Sequence, residues 1–235
     1  MATIQSVERA FTLLEALAEA GGEARLAELA ARTGLDKGTM HGLLSTMASM
    51  GYITRNNKHY ALGLRLRELT QPLTDIDTRL RETFAPALRV LAAHSKETCY
   101  LAVPCGSRDY LYIDALECER NLRVVNPRGR REGLLTSAIG HLFLAFDSEL
   151  LRIVRRYCQL PAGLEQELEC IAHFGFAIDL EQAEPGMNCL ALPLWQHGRI
   201  VAAMGFAGPA QRLPKSVLQR MATEVMHDLF DITKK

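Results

Sequence analysis

Histidine, cysteine and aspartate residues in the C-terminal half of this sequence are the first candidates for chemistry. Cys189, Asp179 and His173 offer a nucleophile, an orienting acid and a base. A catalytic triad needs these side chains within hydrogen-bond reach of one another, and no motif around them sets such a geometry. Cys170 and His173 are spaced as half of a zinc site, with Cys158 as a third conceivable ligand. We therefore predict no catalytic residues, no metal site and no cofactor.

A second set of polar side chains lies on a short stretch with the pattern of a DNA-reading helix. Lys37, Thr39 and His41 alternate there with apolar residues spaced three and four apart, which predicts a helix. Asp36 is placed to cap its N-terminus and Gly51 to end it. The apolar positions of this helix are Met40, Leu43, Leu44, Met47 and Met50.

The segments before this helix predict a helix-turn-helix. Residues 26–32 form a second helical pattern, and a tight turn at Gly34 joins the two. Residues 4–20 have the same period and stop at a Gly-Gly pair. We expect this third helix to bury Phe11 and Leu14 against the other two.

After the predicted recognition helix the apolar pattern changes to period two, which predicts a hairpin over residues 52–62. Its central pair, Asn56 and Asn57, tolerates positive φ, and Arg55 and Lys58 make its tip basic. Three helices followed by a hairpin form a winged helix-turn-helix. The stripe of methionines at positions 40, 47 and 50 is more typical of a core. The residues that we assign to DNA contact are Lys37, Thr39, Met40, His41, Arg55 and Lys58.

Composition and charge place the chain in a broad class. The 235 residues are 48% hydrophobic and 23% charged, which is typical of a globular protein. The 27 basic and 27 acidic residues cancel overall, but residues 1–35 carry 3 minus 5, or −2, whereas residues 36–62 carry 3 minus 1, or +2. Positive charge therefore collects on the segment predicted to meet phosphate.

Cellular location and cysteine usage are also open to prediction. The N-terminus lacks a signal-peptide pattern, and no segment approaches the roughly 18 apolar residues of a membrane span. We expect a cytoplasmic protein without a membrane partner. Its six cysteines include no C-x-x-C pair, which argues against a disulfide framework and favours small buried hydrophobic residues in a reducing compartment.

The chain divides into three predicted segments. Residues 1–62 form the winged helix-turn-helix, and residues 63–84 read as a linker helix with a possible break at Pro72. From residue 85 to 235 helical and strand patterns alternate, which predicts α+β or α/β packing. In this last segment we expect strands over residues 98–103, 110–115, 122–125, 189–194 and 200–206, and helices over residues 88–95, 137–146, 148–157, 164–174 and 215–232.

Several short motifs in the N-terminal part resemble those of a known family. They are Ile4-Gln5-Ser6-Val7-Glu8-Arg9-Ala10, Leu29-Ala30-Ala31-Arg32-Thr33-Gly34-Leu35, Lys37-x-Thr39-x-His41, Gly51-Tyr52-Ile53 and Tyr60-x-Leu62-Gly63. These motifs resemble those of the IclR family of bacterial transcriptional regulators. The family usually has Lys-Ser-Thr-Val-His-Arg along its recognition helix, where this chain has Gly38 for the serine and Gly42 for the arginine. The two glycines cost the helix roughly 1 kcal/mol each relative to alanine.

The resemblance implies an α+β protein with a winged helix-turn-helix, a linker helix and a C-terminal profilin-like, GAF-related α/β effector domain. It also implies binding to double-stranded operator DNA as a homodimer or homotetramer. In the effector domain the matching motifs are Thr136-Ser137-Ala138-Ile139-Gly140, Ala177-Ile178-Asp179, residues 184–193 and Ala207-Gly208-Pro209. By that match we assign the effector site to Ser137, Ala138, Ile139, Asp179, Cys189, Gly205 and Ala207.

The ligand that these residues imply is a small organic acid. The turn before the predicted helix at Ser137 leaves backbone N–H groups free for a carboxylate. Family members often carry serines where this chain has Gly205 and Ala207, so we expect an aromatic or medium-chain acid. Five arginines could attract that acid or form only a solvated loop; they are Arg120, Arg123, Arg128, Arg130 and Arg131.

The sequence thus predicts an effector-controlled DNA-binding transcriptional regulator, with repression as the favoured mode, and not an enzyme. Two alternatives stay open because Cys189 is a nucleophile. One is a cysteine enzyme that modifies small molecules, and the other is a regulator that senses redox state.

Overall fold

A computed structural model describes residues 4–120 and 123–233 of the chain. The chain separates into two compact units, with the division between Ile76 and Asp77. Within the described residues no helix is long and apolar enough to cross a membrane.

The N-terminal unit is a winged helix-turn-helix, as predicted. Its three antiparallel strands form a small sheet in the order β1-β3-β2. Strand β1, which pairs with β3 through residues 23–25, was not predicted because three residues are too few to show a period. The elements are α1 (Gln5–Glu19), β1 (Glu23–Arg25), α2 (Leu26–Thr33), α3 (Lys37–Ser49), β2 (Ile53–Asn56) and β3 (His59–Leu62).

The turns of this unit follow from their residues. Gly34 adopts φ 67° at the C-terminus of α2, a left-handed conformation that glycine reaches without a steric cost. Asn57 adopts φ 55° between β2 and β3, which reverses the chain at the tip of the wing.

The buried face of α1 differs from the prediction. Phe11 is 61% exposed and Leu14 is half-buried, whereas Leu13, Ala16 and Leu17 are buried. The helix is apolar around much of its circumference, so its period alone did not determine which stripe faces α2 and α3.

Helix α4 (Arg65–Ser95) merges two predicted helices, those over residues 63–84 and 88–95. It continues through Pro72, so the helix break considered there does not occur. A proline removes one backbone donor from a helix, but the many turns on either side keep their own hydrogen bonds.

The C-terminal unit is built on a sheet with the strand order β6-β5-β4-β9-β8-β7, in which all neighbours are antiparallel. Of the predicted strand over residues 122–125, Leu122 lies outside the described residues and the remainder is irregular. The elements are β4 (Cys99–Cys105), β5 (Asp109–Leu116), β6 (Arg131–Gly133), α5 (Ala138–Phe146), α6 (Ser148–Tyr157), α7 (Leu164–Phe174), β7 (Ala177–Leu180), β8 (Met187–Gln196), β9 (Arg199–Pro209) and α8 (Lys215–Thr233).

Helices cover both faces of this sheet. Along β4, Tyr100 and Ala102 face the core formed with α5, α6 and α7, while Cys99 and Leu101 face the core formed with α8 and the end of α4. This alternation is the period of a strand buried on both sides. The predicted α+β fold class, with a helix-turn-helix before an α/β domain, is confirmed.

The packing of α1 makes a testable prediction about stability. Replacing Leu13, which is 0% exposed, with alanine should cost about 2–5 kcal/mol of unfolding free energy because it leaves a cavity. The matched change Phe11→Ala should cost less than about 1 kcal/mol, since that ring is mostly exposed. Urea unfolding followed by circular dichroism measures both. A larger loss for Phe11→Ala than for Leu13→Ala would contradict this packing.

Candidate nucleic-acid interface and ligand cavity

The start of helix α3 is fixed by a single carboxylate. Asp36 accepts hydrogen bonds from the backbone N–H of Thr39 at 2.9 Å and from its hydroxyl at 2.6 Å. These two bonds lower the pKa of Asp36 and keep it ionised at the positive end of the helix. The hydroxyl proton of Thr39 is therefore committed to Asp36, and only its oxygen lone pairs and its methyl group can face a base.

The residues predicted to contact DNA do not all reach the surface. Lys37 and His41 are exposed on α3, and Arg55 and Lys58 are exposed on the wing. Met40 is 0% exposed and packs in the core of the N-terminal unit. Its assignment to DNA contact is wrong because it shares the buried stripe of α3 with Leu44 and Met47.

A shallow cavity joins the recognition helix to the wing. His41, Arg55 and Lys58 line it together with Arg25, which precedes α2. The guanidinium of Arg25 donates a hydrogen bond to His59 at 3.0 Å. Sequence reasoning missed Arg25, because its place beside the wing depends on the pairing of β1 with β3. Cationic and imidazole groups from three separate segments thus meet on one surface, the arrangement that phosphate binding requires.

Gly42, which is exposed on α3, provides a direct test of this surface. A Cβ at Gly42 would meet nothing within 4 Å, so an arginine fits there. Gly42→Arg should tighten DNA binding and steepen the salt dependence of log K by about 0.9 for one added phosphate contact. Fluorescence anisotropy over a salt series measures both quantities.

Gly42→Ala is the control for this test, because it changes helix propensity without adding charge. Equal affinity and equal salt slopes for the two variants would mean that this face of α3 points away from DNA.

The C-terminal unit contains a cavity of about 210 Å³ at the start of α5. Ser137 caps this helix by accepting a hydrogen bond from the N–H of Gly140 at 3.2 Å. Helix geometry leaves the N–H groups of Ala138 and Ile139 without acceptors inside the helix. Five of the seven residues predicted to bind the effector line this cavity, namely Ser137, Ala138, Ile139, Cys189 and Ala207.

The other two predicted effector residues have structural roles beside the cavity and do not line it. Asp179 is 5% exposed, and its carboxylate accepts hydrogen bonds from the backbone N–H groups of Gln182 at 2.8 Å and Ala183 at 3.1 Å. Gly205 lies in β9, where an added Cβ would stand 2.7 Å from the carbonyl oxygen of Leu190. The assignment of both residues to the cavity wall is corrected accordingly.

Three wall residues that the sequence did not indicate form a hydrogen-bonded cluster. The hydroxyl groups of Tyr110 and Tyr112 both donate to Oε2 of Glu132, the former at 2.5 Å. The hydroxyl of Tyr110 also lies 2.9 Å from that of Ser137. Burial is the largest cause of the raised pKa of both tyrosines, and the negative charge of Glu132 raises it further. Both phenols therefore stay protonated as donors.

The period-two pattern of β5 could have indicated two of the three residues of this cluster. Tyr110 and Tyr112 are two residues apart and so share one face of the strand. Glu132 is paired with Tyr110 across β5 and β6, and no local pattern links positions so far apart in sequence. Arg130 and Arg131, part of the predicted arginine cluster, are exposed and also line the cavity.

The environment of Cys189 does not suit a reactive thiol. Burial, followed by the charge of Asp179, raises the pKa of Cys189 to about 12. A thiol with such a pKa is almost fully protonated near neutral pH, and the thiolate is the nucleophile. His173 lies exposed on α7 with its ring against Phe174. Within the described residues no three histidine, cysteine or acidic side chains are grouped to hold a metal ion.

Comparisons with known proteins match both units. The sequence profile of the IclR helix-turn-helix domain matches residues 6–57, and that of the bacterial transcriptional regulator IclR C-terminal domain matches residues 74–228. Among curated relatives, the HTH-type transcriptional regulator XynR of Escherichia coli is 31% identical, covering 93% of this chain and 91% of that protein. The transcriptional repressor IclR of the same species is 28% identical, covering 98% of this chain and 89% of its own.

A solved structure supports the fold independently. It is an IclR homolog from Microbacterium hydrocarbonoxydans complexed with 4-hydroxybenzoate. It superposes with a TM-score of 0.69 at 21% identity and covers 96% of this chain and 99% of its own. At that identity the likeness shows the arrangement of helices and strands and not the ligand.

Proposed function

Because this chain belongs to the IclR family of bacterial transcriptional regulators, we propose that a small organic acid bound beside α5 controls the affinity of the protein for operator DNA. DNA binding by the helix-turn-helix and regulation of transcription are the function of the family. The observation that carries the proposal is the cavity beside Ser137, where a helix N-terminus and two arginines converge.

The roles divide along the chain. Residues 1–62 bind DNA, residues 63–84 link the domains, and residues 85–235 bind the effector and hold subunits together. Double-stranded operator DNA is read by two copies at least, because one recognition helix contacts only a few base pairs and a two-fold pair doubles the specificity. The protein acts as a homodimer or homotetramer, in the cytoplasm where that DNA lies.

On DNA, the polar residues of α3 and the wing divide between base and phosphate contacts. Lys37, Thr39 and His41 present their side chains from α3 to the major groove. Arg55 and Lys58 on the wing bind phosphates, and Arg25 joins them from the start of α2. With Gly38 and Gly42 on the same helix, α3 offers few base contacts, so dimer spacing adds specificity.

In the cavity, the acid binds through its carboxylate at the end that carries the positive groups. The N–H groups of Ala138 and Ile139 donate hydrogen bonds to the carboxylate without a charged side chain, and Arg130 and Arg131 add long-range attraction.

Two named relatives inform the mode of control. One structural neighbour was solved with 4-hydroxybenzoate, a compact aromatic acid, and one curated relative is named a transcriptional repressor. We therefore favour repression relieved by an aromatic acid. The raised pKa of Cys189 gives no support to catalysis or redox sensing at that thiol. Its relatives are transcriptional regulators, so we propose that this chain is a regulator and not an enzyme.

Control follows from linkage between the two sites. The acid favours one arrangement of paired subunits and thereby changes the spacing of their recognition helices. Its effect on DNA affinity must equal the effect of DNA on its own affinity, since the coupling free energy is shared.

The attraction by the arginines is testable through association rates. Reversing charge at Arg130 and Arg131 to glutamate should slow effector association by about tenfold at low salt, with the difference shrinking as salt rises. Stopped-flow fluorescence measures these rates. Arg128→Glu is the control, because Arg128 lies in the same loop and does not line the cavity. If the association rates match those of the control at every salt concentration, the two arginines do not attract the effector and only form part of a solvated loop.

The proposed function as a whole is tested by selection. The protein should enrich a two-fold symmetric site from a pool of random DNA, and one class among aromatic, aliphatic and dicarboxylic acids should release it. Enrichment without release by any acid would refute the effector assignment and leave DNA binding standing.

A further inference from the structure

Tyr110, Tyr112 and Glu132 determine which hydrogen-bonding groups one wall of the cavity offers to a ligand. The register that pairs Tyr110 with Glu132 across β5 and β6 brings the carboxylate beside both phenols. Each phenol has a single proton, and each donates it to Oε2 of Glu132. Among the described residues, no donor binds the second oxygen, Oε1, of this half-buried side chain. The wall therefore offers oxygen acceptors to a ligand and no free phenol proton.

We infer that Glu132, fixed by Tyr110 and Tyr112, selects effector acids that carry a hydroxyl group remote from the carboxylate. The inference rests on the proposed function, because it names the class of acid that the same cavity takes. A hydroxyl donates to Oε1 of Glu132, and an acid without one leaves that oxygen buried by ligand and unpaired.

Charge in the cavity sets the orientation of such a ligand. The charged residues that line it are Arg130, Arg131, Glu132 and Glu184, which sum to zero. A ligand carboxylate beside Glu132 would meet a like charge in a site of reduced dielectric constant. The carboxylate therefore lies toward the two arginines, and the hydroxyl lies toward Glu132.

A hydroxyl fits this wall better than an ammonium group. Tyr100, Ile139 and Leu190 also place apolar side-chain atoms in the wall of this cavity. An ammonium would have to lose its water shell there, whereas a neutral hydroxyl gives up much less hydration. Two phenol hydroxyls already donate hydrogen bonds to the Glu132 carboxylate and stabilise its negative charge. Its attraction for a cation is therefore weaker.

The test compares acids that differ by one hydroxyl group. The pairs are 4-hydroxybenzoate with benzoate, 4-hydroxyphenylacetate with phenylacetate and 4-hydroxybutyrate with butyrate, titrated calorimetrically into the full-length protein. In each pair that binds, the hydroxy acid should bind about ten- to one-hundredfold more tightly, as expected for a hydrogen bond to a charged acceptor.

The variant Glu132→Gln should reduce this preference to within about threefold, because the neutral amide is a weaker acceptor and leaves no charged oxygen unpaired when the unsubstituted acid binds. Glu169→Gln removes the same charge from an exposed site on α7 outside the cavity and should keep the full preference. Tyr112→Phe removes one positioning hydroxyl and leaves the carboxylate, so its preference should fall between the wild type and Glu132→Gln.

The possible outcomes separate the two claims. If both acids of every binding pair bind the wild type equally, or if Glu132→Gln and Tyr112→Phe keep the full preference, this inference fails and the acid site stands. If 4-(aminomethyl)benzoate binds more tightly than 4-hydroxybenzoate, the wall selects cations and the inference fails as well. If no acid binds the wild type or Glu132→Gln, the proposed organic-acid function fails together with it.

Discussion

A carboxylate that sits among aromatic and aliphatic side chains must be supplied with hydrogen-bond donors, and Glu132 imposes this requirement on the C-terminal unit. Its partners, Tyr110 and Tyr112, come from the neighbouring strand, and Tyr110 in turn contacts Ser137 at the cap of α5. One half-buried carboxylate therefore connects β5, β6 and the start of α5 through hydrogen bonds. The shape and polarity of the ligand cavity follow from these hydrogen bonds, because the same side chains form its wall.

The N-terminal unit depends on a second carboxylate at a helix start. Asp36 holds the first turn of α3 through Thr39, which fixes where Lys37 and His41 leave the helix. The capping bonds also use part of the polar surface that a DNA reader would present. We propose that phosphate contacts from the wing and from Arg25 compensate for this, and that the specificity of the unit comes from paired subunits rather than from α3 alone.

Local patterns predicted the elements well and their mutual placement only in part. Helix α3 was predictable because its caps and apolar spacing agree, whereas the buried stripe of α1 depends on partners that its own period does not specify. The family motifs predicted Ser137 and Cys189 as site residues, and both line the cavity. Asp179 was predicted in the same way but accepts hydrogen bonds from a loop backbone instead. Glu132 was missed because its role arises from strand pairing over 22 positions, which no local pattern encodes.

We propose that the cavity beside α5 and the DNA-binding surface share one coupling free energy. Titration of the tightest-binding acid into the protein, with and without saturating operator DNA, measures that coupling directly. Two different acid affinities are expected, and their ratio should equal the change in DNA affinity caused by the acid. Equal acid affinities in the presence and absence of operator would contradict it.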